Sequence, residues 1–186
     1  TKYASQGFED LTYVFSEATS AITIATSAKR GYVKSIDIMV EGAETTVSTA
    51  QYSTYFNVEH AFIMPEGLEG IVVDAVDGAN LDFTAYYEEG DVVPAGEPVI
   101  LHATSTLAEA TTFTLEYSTT TEATLKSTGD NLLSGTSTAD EFTTGGSKYY
   151  RLSQHEGHVG FYYGAAEGAA FKPGAHKAYL AVSNTS

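Results

Sequence analysis

The chain has 186 residues, a formal net charge of −15, 42% hydrophobic residues, 12% aromatic residues and no cysteine. This composition suits a folded domain with a buried core, and the absence of cysteine excludes disulfides and cysteine-ligated zinc. The negative charge repels phosphate backbones and anionic lipid headgroups, so we expect no nucleic acid partner and no membrane surface partner.

Strand signals run along the chain, several of them with apolar and polar side chains that alternate with a period of two. In chain order they cover residues 13–15, 21–26, 32–40, 45–49, 51–64 and 111–117. A turn at Pro65-Glu66-Gly67 follows the fifth, and turn residues recur about every 8 to 12 positions, a spacing typical of sandwiches and barrels. We therefore expect an all-β fold: an antiparallel β-sandwich with Greek-key or jelly-roll-like connections, forming one unit over residues 1–186.

A weak internal repeat supports this interpretation. Ile71–Leu101 aligns without gaps with Tyr150–Leu180, although only four aligned positions are identical: Gly78/Gly157, Glu88/Glu167, Pro94/Pro173 and Leu101/Leu180. Each copy reads as a short strand, an acidic turn with glycine, an aromatic strand, a loop and an apolar strand. The pattern predicts that a hairpin with a returning strand occurs twice in the chain. It also allows two packed halves, residues 1–101 and 102–186.

The first predicted hairpin turns at Asp77-Gly78-Ala79. A three-residue loop places the apolar residues of the expected pairs on one face, and a slip by one residue would scatter them. The expected pairs are Ala75 with Leu81, Val73 with Phe83, and Ile71 with Ala85.

The second predicted hairpin turns at Glu156-Gly157, with a two-residue loop. Its inward pairs are Leu152 with Phe161 and Tyr150 with Tyr163. Its outer face carries Tyr149, Arg151 opposite Tyr162, and His155 opposite His158.

Two groups of side chains could hold a metal ion. His155 and His158 are one residue short of the His-Glu-x-x-His zinc motif, so they need a third ligand, and the alternative is a pair of exposed turn histidines. The second group would hold a structural Ca²⁺ if Asp74 faces Asp82 across the first hairpin, because like charges directly opposite are destabilising and Ca²⁺ prefers carboxylate oxygens. Its predicted ligands are Asp74, Asp77, Asn80 and Asp82, and the alternative is a solvated acidic edge that discourages strand pairing.

Outward tyrosines could bind sugar. Tyr149 and Tyr162 lie beside Arg151 on the predicted outer face, where an amphipathic ring can stack on a sugar ring. The alternative is that these tyrosines are half-buried strand formers. The chain has no G-x-S-x-G, phosphate-loop or dinucleotide motif, so we do not expect an enzyme.

Four motifs follow one another in the second half of the chain: Asn131-Leu132-Leu133-Ser134-Gly135-Thr136, Tyr150-Arg151-Leu152-Ser153, Gly160-Phe161-Tyr162 and Pro173-Gly174-Ala175-His176-Lys177-Ala178-Tyr179-Leu180. Over residues 52–182 this order resembles the C-terminal modules of large secreted or cell-surface proteins of Bacteroidetes. Such modules accompany leucine-rich-repeat adhesins and polysaccharide-degrading enzymes. The resemblance implies a β-rich accessory or adhesive module, a larger parent protein and no catalytic residues.

The predicted function is a non-catalytic, extracellular carbohydrate-binding module of a larger bacterial protein. Its predicted ligand-binding residues are Tyr149, Arg151, Tyr162, His155 and His158, and its predicted partner is a polysaccharide. No segment resembles a signal peptide, so we expect Thr1 to begin a mature chain or an excised module. The alternative is a structural or adhesive module, such as a stalk, a spacer or a pilus-like subunit, with no small-molecule ligand.

Overall fold

The computed structural model describes residues 41–77, 80–82, 85–118, 126 and 131–183. These residues belong to one compact unit, Glu41–Ser186. The strands predicted over residues 13–15, 21–26 and 32–40 lie outside the described residues, so a single unit over the whole chain stays a prediction.

The described residues confirm an all-β fold with antiparallel sheets. One short 3-10 helix, Ala166–Gly168, interrupts the strands, and no helix in this part of the chain is long and apolar enough to cross a membrane. The strands are β1 Gly42–Val47, β2 Tyr52–Tyr55, β3 Phe62–Ile63, β4 Leu68–Val72, β5 Ala75–Asp77, β6 Asn80–Asp82, β7 Ala85–Tyr87, β8 Val92–Val93, β9 Val99–Ala103, β10 Thr111–Glu116, β11 Leu133–Thr136, β12 Lys148–His155, β13 His158–Tyr163 and β14 Lys177–Val182.

Two four-stranded sheets share one topology. The first has the order β2-β9-β4-β7 and the second the order β11-β14-β12-β13. Within each sheet, a strand pairs with its hairpin partner on one side and with the returning strand on the other, as the internal repeat predicts. Ile71 pairs with Ile100 in the first sheet and Tyr150 pairs with Leu180 in the second. The structural equivalent of Leu180 is therefore Ile100, one residue away from the position that sequence alignment assigns.

The two sheets pack against each other through a shared apolar cluster. Ile71 and Ile100 from the first sheet meet Leu133 and Leu180 from the second, and Tyr150 packs against the same cluster. This arrangement of two antiparallel sheets around common side chains is a β-sandwich.

The other face of the first sheet is buried as well. Val72 and Leu101 lie in a second cluster with Val47 of β1 and Leu115 of β10, and β1 and β10 form a two-stranded sheet of their own. The first sheet is therefore the middle of three layers.

The predicted register of the first hairpin is wrong by one residue. Ala75 pairs with Asp82, not with Leu81, and Val72 takes the place expected for Ile71 opposite Ala85. The prediction assumed that only one face of this hairpin is buried. Val72 and Val73 are each 0% exposed and lie in the two different clusters, so apolar residues occupy both faces, as in sheets covered on both sides.

The predicted register of the second hairpin is confirmed: Leu152 pairs with Phe161, Arg151 with Tyr162 and His155 with His158. The turn residues Glu156 and Gly157 have φ values of 50° and 86°, the left-handed conformation that a two-residue hairpin loop needs.

One inward residue of the second hairpin was predicted wrongly. Tyr163 pairs with Tyr150 but is 49% exposed, because it ends an edge strand beyond the apolar cluster. Its ring instead stacks on Tyr150, with the ring centroids 4.9 Å apart.

The contact between Phe56 and Gly135 tests how the two sheets pack. A Cβ atom at Gly135, in the edge strand β11, would lie 2.0 Å from Cγ of Phe56, the residue after β2. We expect Gly135→Ala to lower the free energy of unfolding by about 1–3 kcal/mol, as overpacking does, in urea titrations. The same substitution in a Phe56→Ala background should cost much less. An equal cost in both backgrounds would show that the ring does not limit this site.

Candidate functional site

The two predicted sugar-stacking tyrosines are half-buried and lie outside both apolar clusters. Tyr149 donates its hydroxyl to the carbonyl oxygen of Gly146 at 2.6 Å, and its ring meets that of Tyr179 edge to face. Tyr162 donates its hydroxyl to the carbonyl oxygen of His158 at 3.1 Å. Both hydroxyls therefore hold loop or turn backbone, and part of each ring remains accessible.

The two histidines of the second hairpin are exposed and lie opposite each other. The ring of His155 lies 5.8 Å from the ring of Tyr162. In the described ranges, no three His, Asp or Glu side chains come close enough together to hold a metal ion. The third ligand that a site on His155 and His158 would need is therefore not among these side chains.

An open groove of about 340 Å³ lies beside the second hairpin. Its walls come from the turn after β1 together with β2, from β12 and the start of β13, and from the loop that leads into β14. The volume lies at the small end of the range for ligand sites. Because the first sheet supplies β2 and the second supplies β12 and β14, the packing of the two sheets creates the groove.

Three cationic side chains line this groove: Arg151, Lys172 and Lys177. Arg151 is exposed and has no ion-pair partner in the described part of the chain. Lys172 pairs with the exposed Asp140 at 2.9 Å, a surface contact of small energetic value.

Lys177 is the most buried of the three cations. Its Nζ atom lies 3.5 Å from the carbonyl oxygen of Thr54, at the limit of hydrogen-bonding distance. Burial lowers the pKa of Lys177 below its ordinary value, because a partly desolvated ammonium group is disfavoured. An anion placed in the groove would offset this cost.

Aromatic, apolar and neutral polar side chains complete the lining. The ring of Tyr52 stacks on His102 with centroids 4.3 Å apart, and His102 Nδ1 lies 2.6 Å from Oε1 of Glu69. This stack holds Tyr52 in place. Phe171 and Gln154 also line the groove, so apolar surface stands next to hydrogen-bonding groups, as in ligand sites generally.

Of the five predicted ligand residues, Arg151 lines the groove and the other four do not. Sequence reasoning missed Lys177, Lys172 and Tyr52, which all lie outside the second hairpin in sequence. A usable signal was the rarity of cations, since the chain has nine Lys and Arg against 24 Asp and Glu. A basic residue in so acidic a chain is a stronger candidate than one of many tyrosines.

The predicted pairing on which the calcium site was based is wrong, whereas its ligand set stays a prediction. Ala75, and not Asp74, lies opposite Asp82, and the side chains of Asp77, Asn80 and Asp82 lie outside the described residues. Asp74 itself has two buried carboxylate oxygens without a hydrogen-bond partner among the described residues. This is unusual, because buried polar atoms are almost always paired.

A second buried carboxyl group, that of Glu97, lies close enough to Asp74 for their charges to interact. Glu97 is 6% exposed, and its Oε1 atom accepts a hydrogen bond of 3.0 Å from the amide of Asn131. Burial raises the pKa of Glu97 above its ordinary value; the Asn131 hydrogen bond opposes this rise and the negative charge of Asp74 adds to it. Burial first, and the nearby charge of Asp74 second, therefore disfavour the ionised form of Glu97.

Comparisons with protein-family models, with curated proteins and with solved structures find no match to this chain. The functional inference therefore depends on the residues and geometry described above.

The raised pKa of Glu97 predicts a pH-dependent stability. A carboxyl group with a raised pKa in the folded state costs stability once it ionises, and the cost disappears as the pH falls below the ordinary pKa. We expect Glu97→Gln to raise the melting temperature at pH 7, with the difference shrinking towards pH 4. Glu109→Gln, an equal charge change at an exposed position, should show no such trend. A constant difference across this range would contradict the assignment.

Proposed function

We propose that this protein is a non-catalytic carbohydrate-binding module and that the groove between β2, β12 and β14 is its binding site. The observation that carries the proposal is the lining of this groove. An aromatic residue, an amide and cations converge there in a site of about 340 Å³. Sugars have apolar ring faces and many hydroxyl groups, so such a mixture suits them.

The second hairpin extends the proposed binding surface. Arg151 pairs with Tyr162 across β12 and β13, and Arg151 also lines the groove. A glycan leaving the groove over Arg151 would reach the accessible part of the Tyr162 ring and the exposed side chains of His155 and His158. We propose that Tyr149 supports this surface from the same strand.

The proposed location is outside a bacterial cell, on a secreted or cell-surface protein that carries this module with other domains. The resemblance of residues 52–182 to C-terminal modules of Bacteroidetes proteins supports this location. The composition agrees with it, since the chain is acidic, has no cysteine and has few basic residues. A polysaccharide is then the partner that such a module would meet.

Retention on insoluble polysaccharide, followed by a glycan array, tests the binding proposal. We expect Tyr162→Ala to weaken binding of the retained glycan by about 2- to 10-fold, as the loss of one aromatic contact does, and Tyr149→Ala to weaken it less. Tyr163→Ala removes an exposed ring on the opposite face of β13 from Tyr162 and serves as the control. If the unmodified protein retains no glycan, the proposal fails and a structural stalk, spacer or pilus-like module is favoured.

We also propose a structural Ca²⁺ at Asp74. Its two buried oxygens without hydrogen-bond partners support the proposal, because Ca²⁺ binds carboxylate and carbonyl oxygens. Millimolar Ca²⁺ should raise the melting temperature by several degrees, since a ligand that binds only the folded state stabilises it. Asp74→Asn should abolish this rise, whereas Glu66→Gln at an exposed position should preserve it. An unchanged melting temperature on adding Ca²⁺ would remove the ion from the proposal.

A further inference from the structure

The groove has a charge opposite to that of the whole protein. It is lined by three of the nine Lys and Arg residues of the chain, and none of the 24 Asp and Glu residues belongs to its described lining. The formal net charge of the chain is −15. A sequence with so many more acids than bases would rarely place three cations together in a groove whose described lining contains no acid by chance.

We propose that the groove binds the anionic group of an acidic sugar, either the carboxylate of a uronic acid or a sulfate ester. This inference rests on the carbohydrate-binding function proposed above and names the class of glycan. The shared chemistry is an anionic oxygen group held by Arg151 and Lys177, with Lys172 at the rim.

Two of the three cations of the groove have no carboxylate partner among the described residues. Neither Arg151 nor Lys177 forms an ion pair with any described residue, and Lys172 pairs with an Asp140 side chain that is 94% exposed. Cations that serve the fold usually lie next to carboxylates, because a desolvated charge is costly when it is unpaired. A bound anion would supply the missing partner, and the fork of the Arg151 guanidinium matches a carboxylate or sulfate in a bidentate contact.

The size of the groove and the net negative charge of the protein restrict the class of glycan further. A long polyanion would bring many charges against a protein of net charge −15 and would be repelled. A small groove admits one end of a glycan, where a single anionic group can reach the cations while neutral sugar rings meet Tyr52 and Phe171. We therefore expect terminal or widely spaced acidic sugars to bind better than densely charged chains.

A binding series with matched probes tests this assignment. Oligosaccharides that end in a single uronic acid supply one carboxylate, their methyl esters supply the same sugars without charge, and oligosaccharides that carry a single sulfate supply the other anion. Neutral oligosaccharides from the glycan array complete the series. We expect the carboxylate or the sulfated probe to bind at least about tenfold more tightly than its uncharged counterpart, the size expected for one charge-assisted contact. This preference should weaken as salt is added.

Substitutions in and near the groove test which side chains contact the anionic group. Arg151→Gln and Lys177→Met should each remove about tenfold or more of the affinity for the anionic probe and leave the affinity for neutral probes nearly unchanged. Lys148→Gln makes the same charge change on β12 outside the groove and should leave both affinities unchanged. Melting temperatures of all variants confirm that each one is folded.

The outcomes separate the two proposals. Equal binding of charged and uncharged probes would overturn the acidic-sugar assignment and leave the carbohydrate-binding function standing. A preference for anions that survives both Arg151→Gln and Lys177→Met would overturn the assignment of the groove. Absence of binding to every probe and to the whole array would overturn both proposals together.

Discussion

The burial of the first sheet on both faces is the constraint on which the rest of the structure depends. Ile71 and Val72 are neighbours in β4 and are 5% and 0% exposed, yet they belong to different apolar clusters. Alternate side chains of a strand point to opposite faces, so this sheet needs a layer on each side. The β1–β10 pair supplies one layer and the second four-stranded sheet supplies the other.

The second four-stranded sheet creates the groove through its contacts with β2 of the first sheet. The hydroxyl of Thr54, which is 6% exposed, accepts a hydrogen bond of 3.2 Å from the backbone N–H of Ala178. The backbone N–H of Phe56 donates a hydrogen bond to the carbonyl oxygen of His176, in the loop before β14. These contacts bring residues 54 and 178 together across the sandwich. The cationic groove lies at this junction, so its shape depends on the packing that stabilises the fold.

Local patterns in the sequence were sufficient where one face of a hairpin is solvated. The second hairpin alternates polar and apolar residues cleanly, and its pairs, such as Leu152 with Phe161, follow from that alternation and from the Glu156-Gly157 turn. The first hairpin is apolar on both faces, so the same reasoning placed Ala75 opposite Leu81 although it pairs with Asp82. The two halves nevertheless share one strand order, which the weak internal repeat predicts.

The sequence by itself determined the fold class and the repeated hairpin with its returning strand, and it placed Arg151 on the outer face of the second hairpin. These features depend on short-range alternation and turn chemistry. Only the tertiary structure decided that Lys177, Lys172 and Arg151 line one groove with Tyr52, and that Asp74 is buried near Glu97 instead of facing Asp82. These arrangements depend on how β14 pairs with β12 and on where the sheets pack, and both join residues that are far apart in the chain. No pattern of period two contains that information.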